Sequence, residues 1–408
     1  MTHVLLSFPG LDVHSVHLTV KMCVHSRNPE RQFHPRVLGD DPEPVDDPEP
    51  VDEPEPAAEP RWTAFGDGLK GNGIYDLVFD GDGNLYVAGW FWKAGDVAVN
   101  NVAKWDGTRW TALGEGVNDQ VRALAMDANG NLYAAGLFTK AGGNRVLGIA
   151  KWDGSTWSAL GEGIMGQGTN VYVTGIAIHG TSLYIKGFNF YVHYDRFTGI
   201  RTGQGLAKWD IDSSQWTGLG SAYMPPSTVF VSTFAVDSDN NLLVRRVRPS
   251  SGKPEIDLAK WDGTTWSPFD SGGNSDADAL TYQYGLVAND NNGNLYAAGP
   301  FTKVDGTEVN TVAKWNGSKW LALVEGMDEI LELGRIYILA VDSNGNVYSG
   351  GNGSIVKWDG TSWTVFNRWE LLLGTTGSAF TSLAFDADGN LYAVDGFKNS
   401  LLYVVKFE

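Results

Sequence analysis

The chain of 408 residues holds one cysteine, Cys23, which excludes an internal disulfide framework and a cysteine-ligated zinc site. Positive charge is also scarce: 30 Lys and Arg stand against 48 Asp and Glu, a formal net charge of -18. Nothing in that balance attracts phosphate in bulk, so neither nucleic acid nor an anionic membrane is expected as a partner. No run of 18 apolar residues occurs, and no membrane-spanning helix is expected. Proline is thin beyond the start of the chain, with ten of the 16 in the first 60 residues. What is abundant is glycine, at 51 positions, and tryptophan, at 16. That mix suits short strands, tight turns and large buried rings. It does not suit a collagen, a coiled coil or a globally disordered chain.

The charge is unevenly placed. Residues 40–60 read DDPEPVDDPEPVDEPEPAAEP, with ten acidic residues, seven prolines and no Lys or Arg. Prolines at alternate positions remove amide donors and hold the backbone extended, while the carboxylates repel one another. The segment reads as a stiff, solvated tether that supplies -10 of the -18. Residues 1–39 differ again and are expected to be a poorly ordered leader, with five of the seven histidines. His14 and His17 offer a metal reading, but a spacing of three suits a helix better than the loosely alternating pattern around them. Pro9, Asp12 and His14 interrupt the candidate apolar core of a secretory signal, and no clear signal is read.

From residue 61 onward the sequence repeats itself. Lys-Trp-Asp-Gly followed by a second Trp occurs at Trp105 and Trp110, Trp152 and Trp157, Trp261 and Trp266, and Trp358 and Trp363. Variants stand at Trp209 with Trp216 and at Trp315 with Trp320. The first Trp of each copy follows the last by 43 to 57 residues. Between copies lies a second motif: DGDGNLY from Asp80, DANGNLY from Asp127, DSDNNLL from Asp237, DNNGNLY from Asp290, DSNGNVY from Asp342 and DADGNLY from Asp386. A period near 50 with short strands and Asx-Gly turns points to a propeller or related array.

In the second copy, Val121–Met126 alternates and is the expected innermost strand, with a DANGN turn after it. Strands over Asn131–Gly136, Leu147–Trp152 and Thr156–Leu160 complete a four-stranded antiparallel blade. Arg61–Gly66 matches an outer strand, and Leu402–Phe407 matches a third strand. The expected fold is therefore all-β, a seven-bladed propeller over residues 61–408. Its ring is expected to close through an N-terminal outer strand around Trp62 that completes the C-terminal blade. Thirteen of the 16 tryptophans fall on repeat positions, leaving Trp90, Trp92 and Trp369. The repeated rings are assigned to packing between blades.

The units WSALGEGI, DANGNLYAAGLFTKAGG and IAKWDG resemble those of bacterial β-propeller proteins with Trp-Asp-Gly repeats, distant in style from kelch and NHL propellers. The resemblance covers residues 61–408. It implies a binding scaffold more readily than an enzyme, with a protein or glycan as partner and a cell-surface or secreted location. No cofactor is implied, and a monomer is expected.

Departures from the repeat are where a site is sought. The loops joining outer to next inner strand, and second to third strand, vary in length and open on one face. Blade three carries Phe190, Tyr191, His193, Tyr194, Asp195 and Arg196 in place of the usual loop. Blade four has Arg245, Arg246 and Arg248, and blade five has Tyr282 and Tyr284 ahead of its inner strand. Convergence of these groups would suit a glycan, an acidic peptide or a carboxylated small molecule. The alternative is a hydrolase or lyase with His193 and Asp195 as an acid–base pair. A calcium reading exists for Asp80 with Asp82 and Asp386 with Asp388, but no glutamate follows to complete an EF-hand. Hairpin turn chemistry is the preferred reading there.

Overall fold

The computed structural model describes residues 62–166, 171–194, 205–219, 230–237, 241–248, 255–268, 286–290, 294–299, 311–323, 338–350, 355–366, 380–395 and 401–407, with a few shorter pieces between them. The expected leader and tether, residues 1–39 and 40–60, lie outside the described residues. No helix among the described residues is long and apolar enough to cross a membrane.

Seven blades are present, mostly of four antiparallel strands. Blade two shows how the sequence writes one. Val121–Met126 pairs with Leu132–Gly136, which pairs with Ile149–Trp152, and that strand pairs with Trp157–Ser158. The Asp127 carboxylate sets the first turn. Its Oδ1 accepts the backbone N–H groups of Asn129 and Asn131, both at 2.9 Å, and its Oδ2 accepts Asn131 Nδ2 at 2.7 Å. The Tyr133 hydroxyl, which donates to the same Oδ2 at 3.1 Å, fastens the turn to the second strand. Asp153 does the same work at the other hairpin, accepting from Ser155 and Thr156. Gly136 ends the second strand because a Cβ there would come within 2.0 Å of the Gln120 carbonyl oxygen.

Each blade buries its faces against its neighbours. Tyr86, Ala88 and Val102 of blade one pack with Leu132, Ala134, Trp152 and Trp157 of blade two. Comparable apolar clusters fill every other junction, including blade seven against blade one through Val394, Val404, Leu77 and Val87. The two tryptophans of a copy meet at a tilt, with centroids 5.4 Å apart for Trp152 and Trp157. The second indole N–H then reaches back one blade: Trp157 Nε1 donates to the Leu113 carbonyl at 2.7 Å, and Trp216 to that of Leu160 at 2.9 Å. Trp266 and Trp363 repeat the contact with Leu219 and Leu323.

The expected ring closure needs correction. Among the described residues no sheet closes on itself by hydrogen bonds. There is no separate outer strand around Trp62 that merely completes the last blade. Instead β1, Trp62–Phe79, runs unbroken for 18 residues. Its first part pairs with Leu401–Phe407, and its remainder pairs with β2, Leu85–Ala94. Blades seven and one thus form one open eight-stranded sheet. The physical reason is local. The glycine-rich link Gly66-Asp-Gly-Leu-Lys-Gly-Asn-Gly73 bends through bulges without leaving the ladder, and β2 is long enough to pair with it as far as Ala94. At Leu69 and Lys70 the strand is paired on both sides at once. Blades seven and one are thus joined by a continuous ladder as well as by packing, whereas the other six junctions join separate sheets, chiefly through side-chain packing.

Candidate functional site

The inner strands carry a recurrent irregularity. A β-bulge interrupts the pairing of inner and second strands between Ile74 and Asp76, Val121 and Ala123, Val173 and Gly175, Val231 and Thr233, and Phe380 and Ser382. The bulged residues are Tyr75, Arg122, Thr174, Ser232 and Thr381, all able to make hydrogen bonds. Bulges of this kind re-aim a side chain out of the ladder. They lie near the start of these five inner strands, the end at which the chain enters from the preceding blade.

Asp76 follows the bulge of blade one, at a position that is Ala123 in blade two and Gly175 in blade three. Its carboxylate is half-buried and takes three hydrogen bonds. Oδ2 accepts the backbone N–H of Leu124 from blade two at 2.8 Å. Oδ1 accepts the Ser382 hydroxyl from blade seven and the N–H of Leu77, both at 2.9 Å. Desolvation outweighs these donors and pushes the carboxyl up to about 6. On the residue before it, the Tyr75 ring centroid lies 4.1 Å from the Arg122 guanidinium, and Arg122 Nη2 donates to Gln120 Oε1. A carboxyl of this kind can hold or release a proton near neutrality.

Blade three departs at the matching pair of positions. Lys186 stands where Ala88 and Ala135 stand in blades one and two, opposite Gly175, whose missing side chain leaves room for the lysine stem. Its amine is 6.0 Å from the Phe234 ring of blade four, and burial pushes it down to about 8.

The blade-three insertion forms two small ladders. Phe190–Tyr191 pairs with Met165–Gly166, and His193–Tyr194 pairs with Arg201–Thr202. Tyr191 and Tyr194 have ring centroids 6.2 Å apart, with the Arg201 guanidinium 5.1 Å from the first and 5.7 Å from the second. His193 and Arg196 are exposed on this hairpin. Phe190 is buried and belongs to the core between blades two and three. Asp195, Tyr282 and Tyr284 lie outside the described residues. Arg245, Arg246 and Arg248 fall on the second strand of blade four, with backbone partners Leu258, Asp257 and Glu255.

At the opposite face, the Asp80 and Asp386 carboxylates accept hydrogen bonds from Asn84 and Asn390 within their own turns. The backbone N–H groups of Asp82 and Asp388 donate to them as well. Among the described residues no group of three or more His, Cys, Asp or Glu is placed to hold a metal ion.

Tyr75, Asp76 and Arg122 lie outside the loop departures that the sequence singles out. The signal was available: aligning the copies sets Asp76 against Ala123 and Gly175, a charge in an apolar strand.

The chain matches no family model and no curated protein. It is similar in fold to solved structures. One is the extracellular domain of a protein assigned as a hybrid two-component system from B. thetaiotaomicron, with a TM-score of 0.55 at 13% identity, covering 86% of this chain and 41% of that one. A second, assigned as a one-component system from the same organism, gives 0.51 at 11% identity over 85% of this chain and 40% of that one. The chain thus spans about two fifths of the length of those two ectodomains. Virginiamycin B lyase from Staphylococcus aureus gives a TM-score of 0.51 at 11% identity, over 86% of this chain and 99% of the lyase. That last match corrects two expectations, a non-catalytic binding scaffold and a protein more readily not an enzyme. Both rested on the repeat being a frame without chemistry, and in that lyase a frame of similar fold makes up a whole enzyme. The kelch and NHL likeness finds no specific support among the matches.

Proposed function

We propose that the protein is a propeller enzyme of the hydrolase or lyase class, working on the variable-loop side of the ring. The observation that supports this reading is Asp76. It is a partly accessible carboxyl on an inner strand, held near neutrality by its surroundings and fixed in place by donors from two other blades. Both reaction classes need a positioned group that takes or gives a proton, and a carboxyl near 6 is matched to that task. The likeness to virginiamycin B lyase supports the class only through the shared frame.

The blade-three hairpin offers a second placing of the proton-transfer step, on His193. What favours it is the Arg201 stack on Tyr191 and Tyr194 next to an exposed imidazole.

A panel of lactones, esters, glycosides and uronides, assayed with the native chain, Asp76→Asn and His193→Ala, tests both placings. The expected result is turnover that falls at least a hundredfold in Asp76→Asn and little in His193→Ala, on the scale of general acid–base contributions. The reverse pattern moves the reaction to blade three. Turnover equal in all three proteins rejects both.

A further inference from the structure

The inner strands of blades one and two meet through contacts that the repeat does not require. Tyr75 and Arg122 are both bulge residues, and their stack lies one step along from the Asp76–Leu124 hydrogen bond. Three things fix the guanidinium. The Tyr75 ring lies under it, Gln120 Oε1 holds one end, and the ring itself rests on Gly73, where a Cβ would come within 2.9 Å of Tyr75 Cε1. Arg122 makes no ion pair among the described residues. In a chain with 48 acidic residues, an immobilised and partly exposed arginine fork without a carboxylate is set up for one from outside.

The strand register adds a second feature. Opposite Gly73 stands Trp90, which is 43% exposed, where blade two has Leu137. Trp90 is one of the tryptophans that no repeat position uses. An exposed indole presents a flat apolar face of the kind that covers the C–H face of a ring. A single planar fork carries one positive charge and suits a monoanionic carboxylate better than a dianion such as phosphate.

We propose that Arg122, Trp90 and Asp76 recognise an acidic sugar, a uronate, with its carboxylate on the Arg122 fork and its ring against Trp90. The proposal rests on the enzymatic reading only in placing the bound ring beside Asp76, the proton-transfer group. Recognition itself does not need turnover.

The test is calorimetric titration of the full chain with D-glucuronate, D-glucose, glycolate and inorganic phosphate at constant ionic strength. D-Glucuronate should bind saturably, and the other three at least tenfold more weakly. Arg122→Gln should weaken D-glucuronate at least tenfold, and so should Trp90→Ala, while Arg109→Gln, at an exposed arginine of an outer turn, should leave it unchanged. The proposal is overturned by absent D-glucuronate binding, by phosphate binding as tightly, or by full binding in Arg122→Gln. If Arg122→Gln does not fold, unchanged binding in Trp90→Ala, an exposed position, overturns it as well. D-Glucuronate binding with no turnover across the substrate panel would leave this site standing and remove the enzymatic reading. Turnover of neutral substrates without D-glucuronate binding would do the opposite.

Discussion

The Ser382 hydroxyl donates to Asp76 Oδ1 at 2.9 Å across 306 residues of sequence. Through its other oxygen the same carboxylate holds Leu124. One side chain thus ties the inner strands of blades seven, one and two, at the place where the first and last blades share a sheet. A group so placed has a structural as well as a chemical role, and the two can be measured apart.

The structural role shows in the pH dependence of stability. Asp76 rises from an ordinary 3.8 to about 6, chiefly by desolvation, so the folded chain binds this proton more tightly than the unfolded chain. The contribution of this group is fully present below about pH 4 and is lost as the pH climbs through about 6, at most about 3 kcal/mol in all. Asp76→Asn cannot titrate. Its stability relative to the native chain should therefore rise between pH 4 and pH 7 in urea denaturation. A gap that stays constant over that range would count against the burial argument.

The tryptophan ladder gives a differential prediction. Trp157 donates its indole N–H to the Leu113 carbonyl, whereas the buried Trp110 Nε1 has no acceptor among the described residues. Both rings are buried, at 3% exposure, so Phe should cost each site a similar loss of packing. Trp157→Phe should cost about 1 kcal/mol more than Trp110→Phe, the worth of one hydrogen bond. Equal denaturation midpoints would show that the indole contact contributes nothing.

The Asx turns should be indifferent to chelators. Asp80 and Asp386 are held below the usual carboxylate range by hydrogen bonds from their own turns, with Lys104 adding to the effect at Asp80. Those donors, and the Lys104 amine 3.5 Å from Asp80, already engage the oxygens a calcium ion would need. A melting scan with EDTA should match one without it. A fall of several degrees would restore the calcium reading.

Much of the frame could be read from the chain because its physics is local. The DANGN and WDG turns are closed by side chains two to four residues away, so they appear in sequence as fixed spacing. Val121–Met126 is the inner strand of blade two from end to end. The outer strand expected over Thr156–Leu160 shrinks to Trp157–Ser158, since only those residues find ladder partners. The site was harder to read. Aromatic and basic loops drew attention to blade three, where Phe190 proves to be core. Aligning the copies marks Asp76 as a charge in an apolar strand. Its bonds to Leu124 and Ser382 and the Arg122 stack on Tyr75, however, form between blades, where spacing along one strand does not record them.

The shared sheet of blades seven and one also sets an order of assembly. The edge of β1 that pairs with Leu401–Phe407 has no hydrogen-bonding partner until the rest of the propeller has been made. During synthesis, that edge is open to pairing with a strand of another chain. The same long-range pairing makes completion of the ring slow relative to the folding of any single blade. A chain cut short of Leu401 would keep most of its blades and still expose the β1 edge that Leu401–Phe407 covers.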